Sequence, residues 1–150
     1  MRAAALVLLV CGLGGPVLAG PAWCPDLARV SDVAATNKLA AIAGPPREGS
    51  FRDTTLPLAG WRDCSLYGAR TYTCDSQAFA TSEQAETALA ALLAQIKECL
   101  GDGWSRDASR SSPGYAVVRN EGDATSITLN TDRAENGEHV VRLTLFGRGR

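Results

Sequence analysis

Apolar and polar positions change period several times along the chain, and each change marks an element. The run SEQAETALAALLAQIKECL places Leu89, Leu92, Leu93, Ile96 and Leu100 at the three-and-four spacing of one helical face. Thr81 before it, with Gln84 three residues on, has the form of a capping box, so a helix is expected over 82–100. Upstream, PDLARVSDVAATNKLAAIAG opens with Pro25 and Asp26 in a first turn and closes at Gly44 before Pro45-Pro46, predicting a helix over about 25–43. Its apolar face is broad, and Ser31, Asp32, Thr36 and Asn37 are weak helix formers, so a break near 36 fits the same sequence.

Period two takes over elsewhere. After the polar connector GPPREGSFRDTT, the segments LPLAGWRDCSLY and ARTYTCDS flank Gly68-Ala69 and predict a hairpin. Past the loop GDGWSRDASRSSPG come three further strands, YAVVRN, ATSITLNT and EHVVRLTLF. Ile127 and Leu129 alternate with Ser126, Thr128 and Asn130, while Val141, Leu143 and Leu145 repeat the pattern, as in a sheet with one wet face. The predicted order, α-β-β-α-β-β-β, lacks the strand-helix-strand alternation of a parallel sheet. An α+β fold follows, with an antiparallel sheet and both helices on one of its faces. Gly60-Trp61-Arg62-Asp63 and Gly103-Trp104-Ser105-Arg106-Asp107 echo each other, which raises the idea of two duplicated helix-plus-hairpin halves.

The first residues change the compartment. MRAAALVLLVCGLGGPVLAG carries Arg2, an apolar run from Ala3 to Val10, and small residues at Val17 and Ala19, the build of a secretory leader cleaved after Ala19, with Ala22 as the second choice. The expected organisation is a leader over 1–19 and a single secreted or periplasmic domain over 20–150. The apolar run is too short to cross about 30 Å of hydrocarbon and is interrupted by Gly12, Gly14, Gly15 and Pro16, so no stable membrane span is expected after cleavage. Cys11 as a lipidated residue is disfavoured by the bulky Val10 before it.

Loss of Arg2 lowers the basic count from 15 to 14 against 16 acidic residues, with the signs interspersed. No polybasic patch invites nucleic acid or anionic lipid. Cleavage also removes Cys11 and leaves Cys24, Cys64, Cys74 and Cys99, an even set for which two disulfides are expected in an oxidising compartment. Antiparallel helices bring Cys24, at the start of the first, beside Cys99, at the end of the second. Cys74 stands before the second helix, about 27 Å of helix from Cys99, far beyond the roughly 7 Å that a disulfide tolerates between α-carbons.

The pairing Cys64–Cys74 then depends on hairpin register. A two-residue turn at Gly68-Ala69 sets Cys64 against Thr73 and puts the two sulfurs on opposite faces. A loop wider by one or by three residues sets Cys64 against Cys74 and Leu66 against Tyr72, gathering Leu58, Cys64, Leu66, Tyr72 and Cys74 on one side. That binary pattern is favoured over the turn chemistry, because a slip by one residue would carry the apolar set into water.

Candidate chemistry is sparse. WCPD at 23–26 has the Trp-Cys start of a thioredoxin-type redox site, but Leu27 occupies the place of the second cysteine. Cysteine spacings of 40, 10 and 25, with the lone His139, match no zinc pattern, and no Gly-x-Ser-x-Gly elbow supports that imidazole as a general base. Asp102 with Asp107, and Asp132 with Glu135 and Glu138, lack the spacing of a calcium loop and read as solvated surface. No catalytic residue, metal ligand or cofactor is assigned.

What remains is recognition by surface. Tyr67 and Arg70 at the hairpin tip, and Trp104, Arg106 and Arg110 in the long loop, are of the types that dominate protein–protein hot spots. The expected function is that of a non-enzymatic binding protein, of inhibitor, immunity or envelope-accessory type, with a protein partner in the cell envelope. The alternative is a small-ligand or lipid carrier, with a pocket between helices and sheet beside the alanine-rich second helix.

Overall fold

The computed structural model of the chain describes residues 20–147; the expected leader, with Cys11, lies outside the described residues. Two α-helices, α1 (Cys24–Ala35) and α2 (Ser82–Leu100), pack side by side on one face of a single eight-stranded antiparallel sheet. The strands are β1 (Ala43–Pro46), β2 (Phe51–Thr54), β3 (Arg62–Tyr67), β4 (Thr71–Asp75), β5 (Trp104–Arg106), β6 (Tyr115–Asn120), β7 (Ser126–Arg133) and β8 (His139–Phe146). Their spatial order is β1-β2-β3-β4-β8-β7-β6-β5. The α+β class and the placement of both helices on one face are as the sequence predicts.

The strand count exceeds the prediction by three. β1 and β2 were hidden in the polar connector, and β5 in the loop around Trp104. All three are short and lie at or next to a sheet edge, where few side chains are buried and the apolar alternation is weak. Pro45 and Pro46 sit on the outermost strand, where a missing N–H breaks no ladder.

α1 is also shorter than 25–43. It stops at Ala35 because Asn37 takes a left-handed backbone, φ 59°, which Asn tolerates better than most residues. The Asn37 and Lys38 amides then bond back to Ala34 and Val33 at 3.0 and 2.9 Å, closing the helix, and a 3-10 turn over Leu39–Ile42 leads into β1. α2 keeps its predicted range. The Thr81 hydroxyl accepts from the Gln84 amide at 3.2 Å, and the Gln84 side chain accepts from the Ala80 amide, one residue earlier than the capping box implies.

Each half of the chain is one helix followed by four strands, and the halves meet where β4 pairs with β8, Thr73 opposite Thr144. The strand order therefore reads the same from either edge. The Trp61 and Trp104 echo does not mark this repeat: Trp61 lies just before β3, the third strand of its half, whereas Trp104 opens β5, the first of the other.

The core lies between helices and sheet. Leu27, Val30 and Ala34 of α1 and Ala85, Leu89, Leu93 and Ile96 of α2 press on Leu66, Tyr72, Ile127, Leu129, Val141, Leu143 and Leu145. Both disulfides join this layer. Cys24–Cys99 links the start of α1 to the end of α2, with α-carbons 5.3 Å apart, and Cys64–Cys74 links β3 to β4 at 4.1 Å. The hairpin loop spans Gly68, Ala69 and Arg70, wider than two residues, so Leu66 opposes Tyr72 as the binary pattern requires. A bulge between Arg62 and Ser65, with Asp63 at φ 48°, absorbs the extra residue.

Tyr72, wholly buried, donates its phenol to the Leu56 carbonyl at 2.8 Å, and burial pushes its pKa well above the ordinary value near 10. The folded chain keeps this proton at a pH where the unfolded chain loses it. Stability is thus untouched by the group below about pH 10 and falls as pH rises past it. Denaturant titrations from pH 7 to 11.5 are expected to show that fall, and Tyr72→Phe to remove most of it at a cost of about 1 kcal/mol near neutrality for the lost hydrogen bond.

Candidate functional site

Alternation puts every second residue of the central strands on the face that the helices leave open. The registers arrange these residues in rows across the sheet. Phe51, Tyr67, Thr71, Phe146, Ser126 and Arg119 form one row. Asp53, Ser65, Thr73, Thr144 and Thr128 form the next. Asp75, Arg142, Asn130 and Tyr115 form a third, with Arg62 beside Asp75.

The first row is unusual in composition. Of the four exposed large hydrophobic side chains among the described residues, three lie on it: Phe51, Tyr67 and Phe146, exposed by 42, 52 and 40%. The Phe51 and Tyr67 rings touch, centroids 5.1 Å apart and tilted by 53°. Phe146 stands two strands beyond Tyr67, so with a strand spacing of about 4.8 Å the strip from Phe51 runs about 15 Å. Thr71 of β4 stands in the row between Tyr67 and Phe146.

The third row is charged. Arg142 holds Asp75 through two hydrogen bonds, 2.8 and 3.0 Å, and also pairs with Asp132, so one guanidinium clamps three adjacent strands. The hydrogen bonds to Asp75 hold Arg142 protonated above the usual guanidinium range. Farther along the sheet Arg119 pairs with Asp107 at 3.1 Å, and the Ser109 hydroxyl, with Arg119, lowers the Asp107 pKa. Asp107 belongs to a solvated pair joining β6 to the turn after β5.

Between the aromatic and charged rows lies a depression of about 530 Å³ bordered by Phe51, Tyr67, Asp63, Asp75, Glu135 and Arg142. Ser65, Thr73 and Thr144 also line it, and the buried Thr73 hydroxyl has no hydrogen-bond partner. A second depression of about 300 Å³ opens on the flank of α2, between Trp23, Trp61, Phe79, Ala88 and Leu92. There Trp23 meets Trp61 edge to face at 5.8 Å. The space directly under α2, where a carrier pocket was expected, is occupied by Leu89, Leu93 and Ile96 against the sheet.

The sequence-predicted partner residues are not all together. Tyr67 and Arg70 sit at the tip of the β3–β4 hairpin, both exposed. Arg106 and Arg110 are exposed beside the opposite edge of the sheet, five strand spacings or roughly 24 Å from β3. Trp104 is only 4% exposed and packs into the core from the helix side. As a partner-binding residue Trp104 is therefore corrected to a core residue: its place opposite Asn120 on β6 turns the indole inward. Phe51 and Phe146 were missed. Phe146 was legible, since Val141, Leu143 and Leu145 pointing inward leave Phe146 pointing out. Phe51 was not, because the polar residues Arg52, Asp53 and Thr54 that follow it carry no apolar alternation.

Among the described residues, no helix is long and apolar enough to cross a membrane, and no group of His, Cys, Asp and Glu is placed to hold a metal ion. Comparison with protein-family models, curated proteins and solved structures returns no match, so the arrangement of the site carries the functional argument. Fold and open face together define a class by structure alone: a disulfide-stapled, two-helix, eight-stranded domain with an aromatic strip on its uncovered face.

Proposed function

We propose that the protein is a non-enzymatic binding protein of the secreted or periplasmic compartment that grips a protein partner with the open face of its sheet. The observation that carries this reading is the row Phe51, Tyr67 and Phe146, three exposed rings held in register on β2, β3 and β8, with Thr71 of β4 between the last two. Rigid aromatic side chains offer contact area at little entropic cost, which is why they anchor interfaces. The two disulfides fit an oxidising compartment. Cys24–Cys99 also ties together the helix layer behind the face, and Cys64–Cys74 ties β3 to β4 within the sheet.

The test compares the mature domain with a Phe51→Ser, Tyr67→Ala, Phe146→Ser variant as bait in envelope extract and culture medium. A partner held by the native domain should bind the variant at least 30-fold more weakly, the loss of about 2 kcal/mol that one hot spot supplies. Undiminished capture by the variant would sink the reading. The flank groove beside α2, lined by Trp23, Trp61 and Phe79, favours the second reading, a carrier of a small apolar ligand. Binding that survives the strip variant but is lost on Ala91→Trp, which fills that groove, would select it instead.

A further inference from the structure

The depression beside the aromatic strip has a charge imbalance that points to the chemistry of its occupant. Its lining holds Arg47 and Arg142, and both are spent: Arg47 on Asp53, Arg142 on Asp75 and Asp132. Asp63 and Glu135 also line it and form no ion pair among the described residues. Two guanidinium groups thus line the depression with three carboxylates, Asp63, Asp75 and Glu135, of which Asp63 and Glu135 are left without an ion pair. Arg62 and Arg133 line the adjoining depression together with Asp63 and Glu135, and among the described residues neither forms an ion pair with them.

The backbone places one of these carboxylates at a cost. Asp63 is the bulged residue of β3 and adopts φ 48°, a left-handed conformation disfavoured for a side chain other than Asn or Asp. At the centre of the depression the buried Thr73 hydroxyl lacks any partner.

Resting on the open-face reading, we propose that this depression receives an extended segment of a protein partner carrying an apolar or aromatic side chain and, about four residues away, an arginine or lysine. The apolar group lies on the Phe51–Tyr67–Phe146 strip. The cation meets Asp63 and Glu135. Four residues of strand separate Tyr67 from Asp63, about 13 Å, which is the reach of four residues of an extended occupant. A free polycation would use the carboxylates and leave the strip uncovered, so the strip argues for a polypeptide.

A random twelve-residue peptide library displayed on phage and panned against the mature domain tests this. The expected result is enrichment of peptides with an aromatic or large aliphatic residue spaced three to five positions from Arg or Lys. The enriched peptides, made synthetically, should bind Asp63→Asn, Glu135→Gln at least tenfold more weakly and weaken as salt is raised. Asn tolerates the left-handed backbone at least as well as Asp, so this variant folds, which a circular dichroism melt verifies. Enriched peptides without a cation, binding indifferent to the two carboxylates, or spermidine alone binding as tightly as the peptides would overturn the proposal. Peptides that also ignore the Phe51→Ser, Tyr67→Ala, Phe146→Ser variant would overturn the open-face reading itself, so the two failures are distinguishable.

Discussion

Replacing Cys24 and Cys99 together by alanine is expected to lower the stability of the domain by about 4.5 kcal/mol. The bond closes a loop with a sequence separation of 75, against 10 for Cys64–Cys74. In the loop-entropy account the longer loop stabilises by about 4.5 kcal/mol and the shorter by about 3. At roughly 2.1 cal/mol/K of unfolding entropy per residue, such a loss in a domain of this size lowers Tm by about 15 °C. Cys24 and Cys99 are half-buried, so the substitution opens little cavity and reports mainly the cross-link. A native gel or thermal scan of the double variant beside the oxidised and dithiothreitol-treated parent checks the prediction. A change below about 1 kcal/mol would mean that the denatured chain is already compact enough to hold the helix ends together.

Trp104→Ala is expected to cost about 3–5 kcal/mol, the range for truncating a large buried aromatic. The indole opens β5, pairs opposite Asn120 of β6 and packs with the layer that includes α2. Its loss removes the principal buried contact of a three-residue edge strand. Urea titration of the variant measures the effect. Unchanged stability together with impaired partner binding would restore Trp104 to a recognition role, the opposite of what its burial implies. Arg106→Ala and Arg110→Ala are surface changes and serve as controls, expected to lie within about 0.5 kcal/mol of the parent.

These two substitutions also separate what could be read along the chain from what could not. The disulfide partners were legible because two antiparallel helices of known rise place Cys24 and Cys99 at neighbouring ends. Cys64 and Cys74 were legible because only one register gathers Leu66, Tyr72 and the cysteines on a single face. Trp104 was ambiguous, because an aromatic between glycines, serines and arginines has the local signature of an exposed loop and of a short edge strand alike. Its burial is decided by β6, a strand that begins eleven residues later.

The candidate site shows the same division. Tyr67 and Arg70 stand out in sequence as an aromatic and an arginine at a hairpin tip. Phe51 and Phe146, 95 positions apart, become neighbours of that tip only because β4 pairs with β2's partner on one side and with β8 on the other. The carboxylates of the depression come from β3, from β4 and from the turn after β7, and no spacing in the chain links them.

By itself, the sequence determined the elements whose periodicity is strong, α2 and the long strands β3, β4, β6, β7 and β8. It also determined the α+β class and favoured the cysteine pairing, whose hairpin register the folded sheet decided. Those properties rest on local spacing and on the requirement that apolar side chains leave water, which one stretch of chain expresses unaided. Tertiary structure alone decided the three weak strands at or next to the sheet edges, the symmetric order of eight strands around β4 and β8, and the composition of the open face. Edge strands owe their conformation to the hydrogen-bond ladder of a neighbour rather than to their own side chains. A surface row is set by the registers of several strand pairs at once, and no single segment carries that information.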